Sequence, residues 1–149
     1  MRISTVLLCC GLMAALAAPT AHAESAIGPR AGVSGGGDDF FLGVQMEFPA
    51  RFGAFGLVPS FDFGPGTDAP SVANLDFRLY LFPLPDTGIR FYGAAGPTMM
   101  LSGDLELGLS LTLGLNIPMQ GSRRYNVEYR WGLGDIPDHK IGVAVMFGL

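Results

Sequence analysis

Residues 105–117 read Leu-Glu-Leu-Gly-Leu-Ser-Leu-Thr-Leu-Gly-Leu-Asn-Ile, with an apolar side chain at every odd position and a small or polar one at every even position. Successive side chains of a strand point to opposite faces, so Leu105, Leu107, Leu109, Leu111, Leu113, Leu115 and Ile117 share one face; a helix would scatter them around its circumference. The run exceeds the usual soluble strand of about five or six residues. At about 3.3 Å per residue it is long enough to cross the apolar layer of a membrane at a tilt. So long a hydrocarbon face needs either a protein core or lipid against it, and the rest of the chain decides which.

Residues 1–23 read as an export label and not as part of the fold. Arg2 supplies a positive start, Val6 to Ala18 is mostly apolar, and Ala21-His22-Ala23 makes a small-x-small cleavage site. The apolar run is short for a helical span, and nothing after it offers the ~18 consecutive apolar residues such a span needs. Any crossing must then use strands. Both cysteines, Cys9 and Cys10, lie in the label, and Leu8 fits poorly the small-residue position that precedes a lipidated cysteine. Residues 24–149 are expected to form one domain with no disulfide and no cysteine metal site. A net charge of −4, one lysine (Lys140) and no basic patch argue against a nucleic-acid partner. Charged residues make up only 15% of the chain, low for a soluble domain.

Alternation recurs in eight segments and predicts strands over Ile27–Ser34, Phe40–Phe48, Phe55–Phe63, Val72–Phe82, Ile89–Met99, Asp104–Ile117, Tyr125–Leu133 and Lys140–Leu149. Turn-rich connectors separate them at 35–39, 64–70 and 134–139. Three others are expected to begin at Pro49, Pro83 and Pro118, each after an apolar strand-end residue, and they punctuate alternate connections as if marking one end of a barrel.

Nearly every segment has one apolar face, such as Phe40/Leu42/Val44/Met46/Phe48 or Ile141/Val143/Val145/Phe147/Leu149. If the apolar faces filled a soluble barrel, the polar faces would be its exterior and should be rich in lysine and glutamate. Instead they carry glycine, serine, threonine and asparagine, with Arg30, Arg78, Arg90 and Arg130 as the main cations. Arginine suits enclosed bidentate pairs, so these residues fit a lumen better than an open surface. The aromatic positions agree. Phe48, Phe55, Phe91, Tyr125 and Phe147 are expected to face outward near the proline edge, and Phe40, Phe63 and Trp131 near the opposite edge. Two such belts separated by Leu and Val suit the two interfaces of a bilayer.

With this pattern the chain resembles the small eight-stranded outer-membrane barrels of the OmpA transmembrane-domain and OmpX type. The most specific local element is Gly142-Val143-Ala144-Val145-Met146-Phe147, which looks like the terminal assembly signal of such proteins through Gly142, Val145 and Phe147; it departs from them in ending on Gly148-Leu149. The resemblance implies an all-β, eight-stranded antiparallel up-and-down barrel in the bacterial outer membrane. It also implies both termini in the periplasm, insertion by the outer-membrane assembly machinery, and surrounding lipid and lipopolysaccharide. A monomer is expected.

Eight strands leave an interior that side chains can fill, so an open pore is not the default. The expected lumen charges nearly balance: Arg30, Arg78, Arg90 and Arg130 against Glu47, Asp62, Asp76, Glu106 and Glu128. Buried charges must pair, which predicts a salt-bridge plug. Arg90, Glu47 and Glu128 are placed toward the periplasmic half and Arg30, Arg78 and Arg130 near the middle. Asp62, Asp76 and Glu106 fall toward the outer half, where a held cation is the alternative to pairing. Inward glycines such as Gly32, Gly43, Gly108, Gly114 and Gly132 are expected to make room for arginine side chains or to leave a narrow wet path. Enzymatic chemistry has little to stand on. The lipid A deacylases that such barrels resemble use a histidine and a serine two positions apart on one strand face, whereas His139 stands in a connector with Ile141 two residues on. No metal-ligand cluster, phosphate-binding loop or cofactor is indicated. The expected function is envelope structure or surface interaction. A narrow channel comes second and a lipid-modifying enzyme third.

Overall fold

The alternating segments become strands that close on themselves. A computed structural model describes residues 24–149 except 36–38, 53, 65–70, 103, 135 and 137–138, so the expected export label and parts of the Gly/Asp-rich connectors lie outside the described residues. Eight strands, β1 (Ala26–Ser34), β2 (Asp39–Phe52), β3 (Phe55–Phe63), β4 (Ser71–Pro83), β5 (Arg90–Ser102), β6 (Asp104–Pro118), β7 (Arg123–Gly134) and β8 (His139–Gly148), pair antiparallel in chain order. β8 returns to β1 through pairs such as Ile27↔Phe147 and Val33↔Ile141, which removes every sheet edge.

β1, β4, β6 and β7 extend one or two residues past the alternation that predicts them, β3 matches it, β8 is shifted back by one residue, and β5 starts one residue late and runs three past Met99. The larger departure is at Pro49, expected to open a connector: β2 runs through it to Phe52, and the register shifts between Phe48 and Phe52. A bulge leaves a residue without a ladder partner, so a proline, which has no N–H to give, is tolerated there. Pro83 and Pro118 do end their strands. The connector after Pro83 turns tightly through Asp86 and Gly88, both at positive φ, while Thr87 Oγ1 donates to the Leu84 carbonyl at 3.1 Å and accepts from Ile89 N–H at 3.1 Å.

Face assignment is uniform. On β6, Leu107 is 68% exposed and Leu111 48%, whereas Ser110 and Thr112 between them are 1% and 3% exposed. On β2, Leu42, Val44 and Phe48 are exposed and Gln45 and Glu47 are buried. The closed ladder therefore turns polar side chains inward and leaves the leucine comb on the outer wall. The buried apolar cluster is small, comprising Ala26, Ala144 and Met146.

Candidate functional site

The lumen is built from inward positions of all eight strands, and its charged groups converge on two glutamates. Arg78 on β4 gives Nη1 to Glu47 Oε1 and Nη2 to Glu128 Oε1, the latter at 2.9 Å, so one guanidinium clamps β2 to β7 across the barrel. Its plane stacks on the Tyr92 ring, 4.0 Å from the centroid. Tyr92 in turn donates its hydroxyl to Glu128 Oε1 at 2.7 Å, and Gln45 Nε2 donates to the same oxygen at 3.2 Å. Arg30 Nε lies 3.2 Å from Asp62 Oδ1, and its Nη2 lies 3.5 Å from Glu128 Oε2. Arg130 Nη2 binds Asp76 Oδ2 at 2.6 Å and lies 3.8 Å from Glu128 Oε2. Ser110 adds a hydroxyl to Asp76 at 3.0 Å. Isolated buried charges are costly, and here each of these carboxylates has at least one cation against it.

The structure brings together seven of the nine residues expected in this network: Arg30, Glu47, Asp62, Asp76, Arg78, Glu128 and Arg130. Two stand apart. Arg90 sits at the mouth by the chain termini, its guanidinium 5.8 Å from the Tyr80 ring centroid, and makes no ion pair among the described residues. It starts β5, too near the rim to reach the central carboxylates. Glu106 lies half-buried near the opposite rim with no ion pair, and no group of three acidic or histidine side chains able to hold a metal occurs among the described residues. Asp62 and Asp76, offered above as part of a cation site, each face basic side chains instead.

Two basic residues were missed. Arg124 on β7 gives Nε to Glu47 Oε2 at 3.1 Å, and Lys140 on β8 lies 3.4 Å from Asp62 Oδ2. Both occupy inward positions of the alternation, which was the available signal; a place near a strand end masked it. Two inward aromatic side chains were missed for a different reason, since their space comes from glycines on the neighbouring strands. Phe41 fills the lumen opposite Gly32, and Tyr92 opposite Gly114, in cross-strand pairs. A Cβ at Gly32 would press on Phe41 and on the β8 backbone, and one at Gly114 would meet Tyr92. These two glycines thus make room for rings and for close strand approach, not for arginines. Phe41 also lies beneath two cations, Arg30 at 5.5 Å and Lys140 at 5.3 Å from its centroid.

The two ends of the lumen differ. At the end away from the termini, Ile136 from the β7–β8 connector is buried and its side chain lies over Gly108. At the terminal end an open cavity of about 230 Å³ is lined by Tyr80, Arg90, Asn116, Arg123, Arg124 and Glu24.

On the outer wall, Phe55, Phe91, Tyr125 and Phe147 lie within two residues of strand ends near the termini, with Phe48 four residues inside the end of β2; Phe40 and Phe63 lie at the opposite ends, with Trp131 three residues inside the end of β7. Phe61 and Phe77 are outward aromatics between those levels, so the belts are not the sole aromatic positions. Of the terminal signal residues, Gly142 faces inward on β8, and Val145 and Phe147 face outward. His139 is also outside, its Nδ1 2.9 Å from the Tyr129 hydroxyl, while Ser60 and Asp62 face the lumen.

No protein-family model matches the chain, and no curated protein matches its sequence. Solved structures do match its fold. The N-terminal β-barrel domain of Pseudomonas aeruginosa OprF aligns with a TM-score of 0.67 at 14% identity, covering 85% of this chain and 98% of that one. The de novo designed protein TMB2.3 aligns with a TM-score of 0.63 at 12% identity, over 85% and 94% of the two chains. Neisserial surface protein A aligns with a TM-score of 0.56 at 9% identity, over 85% and 95%. The eight-stranded barrel is the fold common to these chains and to this one.

Proposed function

We propose that this chain is a non-enzymatic outer-membrane barrel with a role in envelope structure or surface interaction, its lumen closed by arginine–carboxylate pairs. One observation carries the reading: polarity is inverted, with charges inside and leucines outside. The outer wall exposes Leu105, Leu107, Leu109, Leu111 and Leu113 in one row, with Phe61, Leu75 and Phe77 on nearby strands. Contiguous apolar surface of this kind is rare on soluble monomers, at a cost in water of about 25 cal/mol per Å². Hydrocarbon tails remove that cost. A barrel without edges also satisfies its backbone internally, as a strand protein must in lipid.

On this reading the wall meets outer-membrane lipid and lipopolysaccharide, the assembly machinery inserts a monomer after export, and both termini face the periplasm. The fold likeness supports the architecture; the role rests on the lumen and the wall. Absence of catalysis is supported by the separation of His139 from the lumenal serine and aspartate. Incubation of the purified barrel with lipid A should leave its acyl pattern unchanged.

The decisive experiment extracts membranes of expressing cells and compares boiled and unboiled samples on a gel. A detergent-dependent, heat-modifiable band is expected. A freely dissolved periplasmic monomer would end the case. In planar bilayers the plugged barrel should give no steady conductance steps. A narrow channel is the second reading, favoured by buried guanidinium nitrogens without partners, Arg30 Nη1, Arg78 Nε and Arg130 Nη1, where water would enter. Reproducible steps would select it.

A further inference from the structure

We infer that the mouth beside the chain termini is a binding site for a phosphate-bearing anion, formed by Arg90, Arg123 and Arg124. The cavity there has room for a small headgroup, about 230 Å³, and among the described residues its lining includes three arginines and one acidic residue, Glu24. Arg90 and Arg123 stand outside the lumen network, and Arg124 joins it only through Glu47. Arg124 spends Nε and Nη2 on Glu47, which leaves Nη1 outside that pair. Arg90 and Arg123 are held by rings instead of carboxylates, Arg90 near Tyr80 and Arg123 at 5.8 Å from the Phe147 centroid, and neither makes an ion pair among the described residues. A cation resting on a ring keeps its N–H edge available for an acceptor.

The layout selects the ligand. Arg123 and Arg124 are consecutive on β7, so their side chains leave opposite faces of the wall; Arg123 lies outside over Phe147 and Arg124 inside against Glu47. Arg90 approaches from β5 on the lumen side. Arg90 and Arg124 therefore reach the mouth from the lumen side and Arg123 stands at its outer lip, and arginine forks bind phosphate in pairs of hydrogen bonds. The Ser122 hydroxyl and the open turn at Gly121, where a side chain would meet nothing within 4 Å, leave the approach unobstructed. The connectors of the other end carry more acid: those after β1, β3 and β7 hold Asp38, Asp68, Asp135 and Asp138, whereas those after β2, β4 and β6 hold Asp86 alone. An anion is therefore favoured at one end of the barrel only.

Two sources supply this chemistry, a phospholipid headgroup at the wall and a soluble phosphate in the mouth. The lipid source rests on the membrane reading above; the site itself does not. The test titrates the folded, ¹⁵N-labelled barrel in a phosphate-free nonionic detergent with inorganic phosphate and, separately, with short-chain phosphatidylglycerol. Chloride at matched ionic strength is the control. Amides of 119–124 and the arginine Nε–H signals of Arg90 and Arg123 should shift saturably, and Arg90→Gln with Arg123→Gln should weaken binding by about tenfold or more. The rest of the amide spectrum should be unchanged; should the double variant misfold, Arg90→Gln alone is titrated. Saturation at lower concentration by the lipid assigns a headgroup, and by inorganic phosphate a soluble ligand. Shifts equal to those from chloride, or a variant that binds as the parent does, would overturn the site. Binding with a soluble, detergent-independent protein would retain it while refuting the membrane reading.

Discussion

The ring of Tyr92 occupies the place that a side chain at Gly114 would take. The two residues are cross-strand partners on β5 and β6, and Gly114 is also the partner of Glu128 on β7. The phenol therefore lies across β6 and reaches Glu128 with its hydroxyl, 2.7 Å away, while its face supports Arg78. Gly114→Ala should push the ring off this path and cost about 1–3 kcal/mol as overpacking. Gly93→Ala is the comparison: its added carbon would meet its nearest neighbour, Leu81, at an ordinary 3.9 Å, and should change stability little. Urea-unfolding midpoints in lipid vesicles read both, and equal midpoints would contradict the packing described.

Arg78 holds Glu47 and Glu128 together, so Arg78→Met should leave two buried carboxylates partly unpaired. A loss of about 3–5 kcal/mol is expected, the usual scale when one partner of a buried pair is removed. Adding Glu47→Gln and Glu128→Gln should recover part of it, because the groups then share one network and their effects do not add. Strict additivity in that cycle would show that the clamp is not coupled.

Among the described residues the lumen network holds five cations, Arg30, Arg78, Arg124, Arg130 and Lys140, and four carboxylates, Glu47, Asp62, Asp76 and Glu128. An asymmetry between partners follows. Lys140→Met leaves Asp62 its Arg30 contact and should cost below about 1 kcal/mol, whereas Asp62→Leu strands Lys140 and leaves Arg30 only its longer contact to Glu128, and should cost about 3–5 kcal/mol. Equal losses in equilibrium unfolding would reject this order.

Depth should govern the outer wall. Leu111 lies mid-strand opposite Trp131 and Ala95, so Leu111→Lys should cost about 2–4 kcal/mol in a bilayer, while Leu105→Lys, paired with Leu101 beside the β5–β6 turn, should cost about 0–1 kcal/mol. The gel-shifted folded fraction after insertion into vesicles measures the difference. A Leu111→Lys protein that folds as readily as the parent would mean that water, not lipid, contacts that face.

Much of the lumen was legible because parity is local. A residue's face in a strand follows from its neighbours one and two positions away, so Arg30, Glu47, Asp62, Asp76, Arg78, Glu128 and Arg130 were assignable inward from the chain alone. Strand ends defeated the same logic. Lys140 and Arg124 stand beside turns, where alternation breaks off, and Arg90 shares their position yet stays at the mouth. Long side chains near a rim can reach inward or outward, and only the heights of the partner strands decide which. Phe41 and Tyr92 were hidden differently: an inward aromatic is acceptable only if a facing glycine vacates its space, and that pairing depends on register.

What the chain settled by itself is the architecture, since a two-residue period repeated eight times allows one ordered set of strands with one hydrocarbon face and one polar face. What the tertiary structure alone decided is which polar groups touch. Glu47 and Glu128 are far apart in sequence, and both are met by Arg78 because closure of β8 on β1 fixes the stagger of every strand around the ring. Periodicity is a property of neighbours along the chain; that stagger is a property of the closed circle.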